Sequence, residues 1–180
     1  MDIRNYKKII LVGSPGGGKS WLSKRVAEIT GYPLFHLDKE LHLPNWQKLP
    51  KNQRTARMHE MMSGEQWIID GNWGSTMETR FSAAELVIFL DVNRVVCLYS
   101  AIKRRSKPRT DMPDFLEEPK LLSKNFRDFA KFIAWTFPRI GKKAVLDLHQ
   151  KYPNTAFLHI KGRRGVRRIL KEWGVTNEHL

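Results

Sequence analysis

The sequence predicts an α/β fold, with a parallel β-sheet covered by helices on both faces. Two observations support this prediction. Short apolar segments rich in β-branched residues alternate with longer amphipathic segments along the whole chain. A glycine-rich loop joins the first segment of each kind. A length of 180 residues suffices for one domain of this kind and is too short for two, so we predict a single domain over residues 1–180.

Five segments have the composition of buried strands: residues 8–12, 34–38, 66–70, 86–91 and 155–160. Five others have helical spacing or composition: residues 21–30, 53–63, 93–105, 120–152 (interrupted at Pro138) and 166–173. Residues 41–52 are rich in proline and polar side chains, which predicts a loop. Residues 106–118 are rich in proline and charge, which predicts a mobile lid over roughly residues 104–120.

The composition fits a soluble globular protein with a strongly basic charge. Apolar residues make up 41% of the chain, and the formal net charge is +14. This charge is compatible with a nucleic-acid-binding face, with arginines that clamp phosphates, or with a solvated surface. No apolar segment is long enough for a signal sequence or a membrane span. A single cysteine, Cys97 in apolar surroundings, predicts a buried thiol without a disulfide, so we expect the protein in the cytosol.

The most specific motif lies between the first strand and the first helix. It is Gly13-Ser14-Pro15-Gly16-Gly17-Gly18-Lys19-Ser20, which matches the phosphate-binding pattern G-x-x-x-x-G-K-[ST] in full. Its glycines let backbone N–H groups turn inward around an anion, and the helix start adds further unpaired N–H groups. We expect Lys19 to reach the β- and γ-phosphates and Ser20 to hold Mg²⁺. The chain lacks a guanine-binding Asn-Lys-x-Asp motif, so ATP is favoured over GTP.

Three predicted strands end in an aspartate, and the carboxyl ends of parallel strands share one edge of a sheet. Asp70 follows an apolar strand, as in a Walker B segment, and we expect it to hold Mg²⁺ together with Ser20. Asp38 is expected to contact the phosphoryl acceptor or to accept its hydroxyl proton. Asp91 is expected to cap the next helix.

Arginines flank these positions. Three that lead into the lid are expected to stabilise the moving phosphoryl group: Arg104, Arg105 and Arg109. Arg80 lies between the third and fourth strands, where an acceptor phosphate or carboxylate can dock. Arg163 and Arg164 follow the fifth strand and are expected to line the nucleotide base. The six histidines show no metal-ligand spacing, and we assign them no role.

Several of these segments resemble a bacterial family, the topology modulation proteins, which are related to adenylate kinase. The resemblance covers residues 8 to 173 and rests on these segments: the phosphate loop, Leu37-Asp38, Trp67-Ile68-Ile69-Asp70-Gly71-Asn72-Trp73, Leu90-Asp91, Ile102-Lys103-Arg104-Arg105 and Arg109-Thr110-Asp111-Met112. It implies a nucleoside-monophosphate-kinase-like sheet with strand order 2-3-1-4-5 and a lid. It also places Asn72 on the acceptor side and Trp21 beside the nucleotide.

Three departures from similar proteins bear on activity. Adenylate kinases carry Asp-Gly-Phe-Pro-Arg where this chain has Asp70-Gly71-Asn72-Trp73-Gly74, so the Pro-Arg that helps bind an acceptor monophosphate is missing. Trp21 replaces a small residue that often contacts the α-phosphate, and Thr110 replaces a proline in the lid. Ordinary adenylate kinase activity is therefore not expected.

The leading hypothesis is an ATP- and Mg²⁺-dependent small-molecule kinase whose acceptor the sequence leaves open. Nucleoside monophosphates, nucleosides and other small hydroxyl compounds all remain candidates. One alternative is an ATP-dependent DNA-binding or regulatory protein whose basic C-terminal half contacts phosphates. Another is a simple ATPase. A membrane partner is not expected.

Overall fold

A computed structural model describes residues 1–104, 120–121 and 123–175. For Asn45 it describes the backbone only. Five parallel strands form one sheet in the order β2-β3-β1-β4-β5. The strands are β1 (Lys8–Gly13), β2 (Leu34–His36), β3 (Trp67–Asp70), β4 (Leu86–Asp91) and β5 (Ala156–Lys161). The sequence-based prediction of a five-stranded parallel sheet, and the strand order implied by the resemblance, are confirmed.

The α-helices within the described residues are α1 (Lys19–Thr30), α2 (Leu37–Glu40), α3 (Lys51–Met62), α4 (Gly74–Ala83), α5 (Arg94–Lys103), α6 (Lys124–Lys131), α7 (Lys142–Lys151) and α8 (Gly162–Glu172). The 3₁₀ turns include Ile3–Asn5 and Pro44–Trp46, and a π-helical segment, Phe132–Gly141, joins α6 to α7. No helix in the described part of the chain is long and apolar enough to cross a membrane.

Two apolar cores lie on opposite faces of the sheet because side chains alternate along each strand. In β1, Ile9 and Leu11 pack in the core that includes α1, α5 and α8, whereas Ile10 and Val12 pack in the core that includes α3, α4 and α7. All four side chains are at most 1% exposed. Coverage of both faces explains why the strands read as continuous apolar runs in the sequence.

The helix predictions failed in three places, the first of which is α2. Residues 34–38 were predicted as one strand, but β2 ends at His36 and α2 covers Leu37–Glu40. Helix α4 was not predicted, because its sequence carries a weak apolar pattern and begins at a glycine. Pro138 was expected to interrupt the helical region, yet it lies inside the continuous π-helical segment. In an α-helix the proline ring clashes with the carbonyl four residues earlier; here the residues around Pro138 have π-helical rather than α-helical hydrogen bonding.

Candidate nucleotide and acceptor site

The loop between β1 and α1 is fastened to the end of β4. The Ser14 backbone N–H donates to the Leu90 carbonyl at 2.9 Å. The Ser14 hydroxyl bonds to both the N–H and the carbonyl of Val92, each at 3.1 Å. A Cβ on Gly16 would lie 2.6 Å from the Cys97 carbonyl oxygen, so only glycine allows this approach to α5. The loop is thus held in place, and α1 begins directly after it, as an anion site requires.

Lys19 lies where the phosphate loop meets α1. Its Nζ donates to the Ser14 carbonyl oxygen at 3.3 Å. Burial lowers the pKa of Lys19, the Asp70 and Asp38 carboxylates raise it, and the Arg104 guanidinium lowers it. The fold therefore brings together four charged side chains predicted from the sequence to act in the site, close enough to influence one another's charge: Lys19, Asp38, Asp70 and Arg104. Their roles in catalysis stay predictions.

Asp70, at the end of β3, is 4% exposed and is held by a histidine. The Nδ1 atom of His36 lies 3.0 Å from Asp70 Oδ2. Among the described residues, Asp70 Oδ1 has no hydrogen-bond partner although it is buried. From the sequence, we assigned His36 no role. Only the parallel register that sets His36 opposite Asp70 reveals the pairing.

These residues fit a bound Mg²⁺ ion. The unpartnered Oδ1 of Asp70 and the hydroxyl of Ser20 are hard oxygen donors of the kind that Mg²⁺ prefers. Within the described residues, no three His, Cys, Asp or Glu side chains are grouped as a protein-only metal site. A magnesium ion here would depend on substrate phosphates and water for its remaining ligands.

From the sequence, Asp38 was expected at the end of a strand. It lies instead in the one-turn helix α2. Its exposed carboxylate accepts a hydrogen bond from Trp73 Nε1 at 3.1 Å. The His42 ring packs edge-on against the Trp46 and Trp73 rings, with centroids 5.5 and 5.0 Å away. The backbones of both tryptophans have positive φ, 61° at Trp46 and 21° at Trp73, which is strained for such residues.

Asn72 and Arg80 were predicted to lie on the acceptor side. The Asn72 amide clamps the phosphate loop, because it accepts from the Gly13 N–H at 2.9 Å and donates to the Gly13 carbonyl at 2.8 Å. The fully buried Arg80 guanidinium donates to the carbonyls of Gly71 and Asn72 at 2.8 and 2.7 Å. Burial lowers the pKa of Arg80 to about 9, so it stays charged at neutral pH. An acceptor role for either residue stays a prediction.

The remaining predicted site residues lie around this centre. Arg105, Arg109 and most of the predicted lid fall outside the described residues. The Arg104 guanidinium lies 5.8 Å from the Phe129 ring. Arg163 donates to the Ser100 hydroxyl at 2.9 Å, and its neighbour Arg164 is exposed. Trp21 is 37% exposed, and the Arg25 guanidinium lies 5.5 Å from its ring.

Asp91 does not cap α5, contrary to the sequence-based expectation. The side chain of Asn93 accepts from the Val95 N–H at 2.8 Å and is the cap. Asp91 Oδ2 instead accepts from Lys142 Nζ at 2.6 Å and lies 3.1 Å from His159 Nε2. Burial raises the pKa of Asp91, but the hydrogen bonds from Lys142 and His159 outweigh it and the pKa is lowered below the ordinary 3.8.

The contacts of Asp91 with Lys142 and His159 are expected to stabilise the fold to an extent that depends on pH. A lowered carboxyl pKa stabilises the fold above pH 3.8, and that contribution is lost as the pH falls through the folded-state value. We expect Asp91→Asn to cost roughly 1 kcal/mol at pH 7, or about 2–4 °C in Tm, and less at pH 3. Thermal unfolding at both pH values measures this. Asp147→Asn, which removes an exposed partner of Lys143, serves as the control. An equal loss at both pH values would contradict the assignment.

No family model and no curated protein sequence matches this chain. The structure is similar to shikimate kinase from Acinetobacter baumannii in complex with shikimate, with a TM-score of 0.60 and 13% identity over 99% of this chain and 98% of that one. It is also similar to shikimate kinase from Bacteroides thetaiotaomicron, with a TM-score of 0.53 and 15% identity over 94% and 99%. This is a P-loop kinase fold.

A gluconokinase from Sinorhizobium meliloti 1021 also matches, with a TM-score of 0.48 and 13% identity over 92% of this chain and 94% of that one. The similarity to the two shikimate kinases, at 13% and 15% identity, establishes the fold alone, and the chemistry must be argued from the residues of this chain.

Proposed function

We propose that this protein is a small-molecule kinase that transfers the γ-phosphoryl group of ATP to a hydroxyl group of an anionic acceptor. The observation that carries the proposal is the setting of Lys19. Its ammonium lies at the start of α1 and interacts with the carboxylates of both Asp70 and Asp38. Asp70 is buried and Asp38 is exposed, so the first is suited to the metal side and the second to a substrate hydroxyl. The kinase fold of the structural neighbours supports this reading.

The transfer requires few chemical groups from the protein. The acceptor oxygen bonds to the γ-phosphorus, the bond from that phosphorus to the β–γ bridging oxygen breaks, ADP leaves, and the hydroxyl proton passes to Asp38. Lys19 and the N–H groups at the start of α1 stabilise the charge on the phosphoryl oxygens. Ser20 and Asp70 would hold Mg²⁺, which neutralises charge on the β- and γ-phosphates when bound.

The anionic nature of the acceptor is argued from two cations that lie over the ring of Trp73, whose Nε1 donates a hydrogen bond to Asp38. Lys48 Nζ and the Arg54 guanidinium lie 5.6 and 5.9 Å from the centre of the Trp73 ring. Neither cation is paired with a carboxylate within the described residues. Cations without a carboxylate partner, on the ring that hydrogen-bonds to a candidate proton acceptor, favour a phosphate or carboxylate on the substrate. Arg57 on the same helix, by contrast, is bound to Glu40 and Glu60.

The proposal is tested by measuring ADP formation from ATP and Mg²⁺ with a panel of acceptors. We expect stimulation by a nucleoside monophosphate or a hydroxy acid and none by neutral nucleosides or alcohols. Asp38→Asn should lower the stimulated rate about a hundredfold, because the proton acceptor is lost, and leave nucleotide affinity nearly unchanged. Glu65→Gln, at an exposed acid in a distant loop, is the matched control. Turnover that no acceptor stimulates would favour a simple ATPase.

A basic surface on α8 supports the nucleic-acid alternative. Val166, Ile169 and Leu170 of this helix are buried. Its exposed side carries five cations: Arg163, Arg164, Arg167, Arg168 and Lys171. An ATP-dependent DNA-binding function, as the resemblance to topology modulation proteins suggests, would require DNA affinity that falls steeply with salt. We rank this function second, because exposed cations on one helix are equally typical of a surface that contacts only solvent. Family membership and a cytosolic location likewise remain proposals.

A further inference from the structure

A histidine that the sequence analysis left without a role lies against the candidate metal-side carboxylate. His36 is the last residue of β2, and the parallel register places it directly opposite Asp70 in β3. Its Nδ1 lies 3.0 Å from Asp70 Oδ2, with the two side chains only 10% and 5% exposed. A carboxylate has no hydrogen to donate when ionised, so Nδ1 carries the hydrogen and donates it. The contact is therefore a directional bond shielded from water.

The second carboxylate oxygen of Asp70, Oδ1, is left available to bind a ligand. Oδ1 is buried and has no hydrogen-bond partner among the described residues. The same carboxylate is the largest acidic influence on the pKa of Lys19, and it also raises the pKa of Arg80. His36 therefore holds one oxygen of Asp70, while the negative charge of the carboxylate acts on Lys19 of the phosphate loop.

We propose that His36 is a positioning residue for Mg²⁺ binding. Its Nδ1–H bond to Oδ2 fixes the rotamer of Asp70, which directs Oδ1 toward the site that Ser20 shares. A carboxylate free to rotate would lose this direction and would bind the hydrated ion less well. Hydrogen-bond partners of metal-binding groups typically contribute about 10- to 100-fold in metal affinity. The inference rests on the proposed function, because it assumes that Mg²⁺ binds with the nucleotide at this site.

Two substitutions of His36 separate positioning from packing. His36→Leu removes the donor and keeps a side chain of similar size. His36→Asn retains an N–H group close to the position of Nδ1. We expect the apparent Kd for Mg²⁺, from Mg²⁺ titrations of ADP binding by calorimetry, to rise at least about tenfold in His36→Leu. The asparagine variant should stay within about threefold of the unchanged protein. Affinity for ADP without Mg²⁺ should be the same in all three proteins.

The controls make each outcome decisive. His59→Leu replaces an exposed histidine on α3 and should change nothing. Thermal unfolding verifies that the variants are folded. If His36→Leu does not fold, His36→Gln takes its place, because its amide reaches the position of Nε2 rather than that of Nδ1. Unchanged Mg²⁺ affinity in the donor-free variant, or equal losses in the leucine and asparagine variants, would overturn the inference. If Mg²⁺ does not strengthen ADP binding by the unchanged protein, that result contradicts the proposed function instead.

Discussion

Replacement of Lys19 by methionine is expected to lower the rate of ATP turnover about a thousandfold. The ammonium lies at the start of α1, where it can reach the phosphates, and methionine keeps most of the length of the side chain without its charge. Loss of a positioned donor to the transferring group typically costs about 10²–10³ in rate. ADP formation under saturating ATP, with the stimulating acceptor present, is the measurement.

Folding is not expected to suffer in this variant. Burial lowers the pKa of Lys19, which means that the charged side chain is disfavoured where it lies. Its removal should therefore leave the thermal unfolding temperature equal or higher. Lys143→Met, at a 73% exposed lysine on α7, is the control and should retain full turnover. If Lys19→Met turns over ATP at the rate of the unchanged protein, the phosphate loop has no part in the reaction.

Replacement of Gly13 by alanine is expected to destabilise the fold by about 4 kcal/mol or more. The new Cβ would lie 2.1 Å from the Leu90 carbonyl oxygen, and the φ angle of +137° is unfavourable for any residue with a side chain. The carbonyl cannot move away easily, because it accepts the hydrogen bond from the Ser14 N–H and belongs to the central sheet. Urea unfolding followed by circular dichroism measures the loss.

Gly64→Ala provides the matched comparison. A Cβ there meets no atom closer than 3.5 Å, so its cost should stay within about 1 kcal/mol. A Gly13→Ala protein that unfolds at the same urea concentration as Gly64→Ala would show that the close approach of β1 to β4 is not required. Loss of a cooperative transition in Gly13→Ala alone would agree with the expected clash.

The sequence alone predicted those features that depend on neighbouring residues. The phosphate loop is a local arrangement, since its glycines and the following helix start form the anion site within eight residues of one another. The strands were equally predictable, because burial on both sides requires an unbroken apolar run. The strand order came from the resemblance to a known family, because composition does not determine which strands pair.

Only the tertiary structure decided which distant side chains meet. Asn72 clamps Gly13, and His36 holds Asp70, because β3 lies between β1 and β2 in the sheet. The capping role expected of Asp91 was wrong because α5 begins at Arg94 and Asn93 caps it. Asp91 instead meets Lys142 of α7 and His159 of β5, which are far along the chain. A residue type indicates what chemistry is available, but the partner that orients it is set by packing across the sheet.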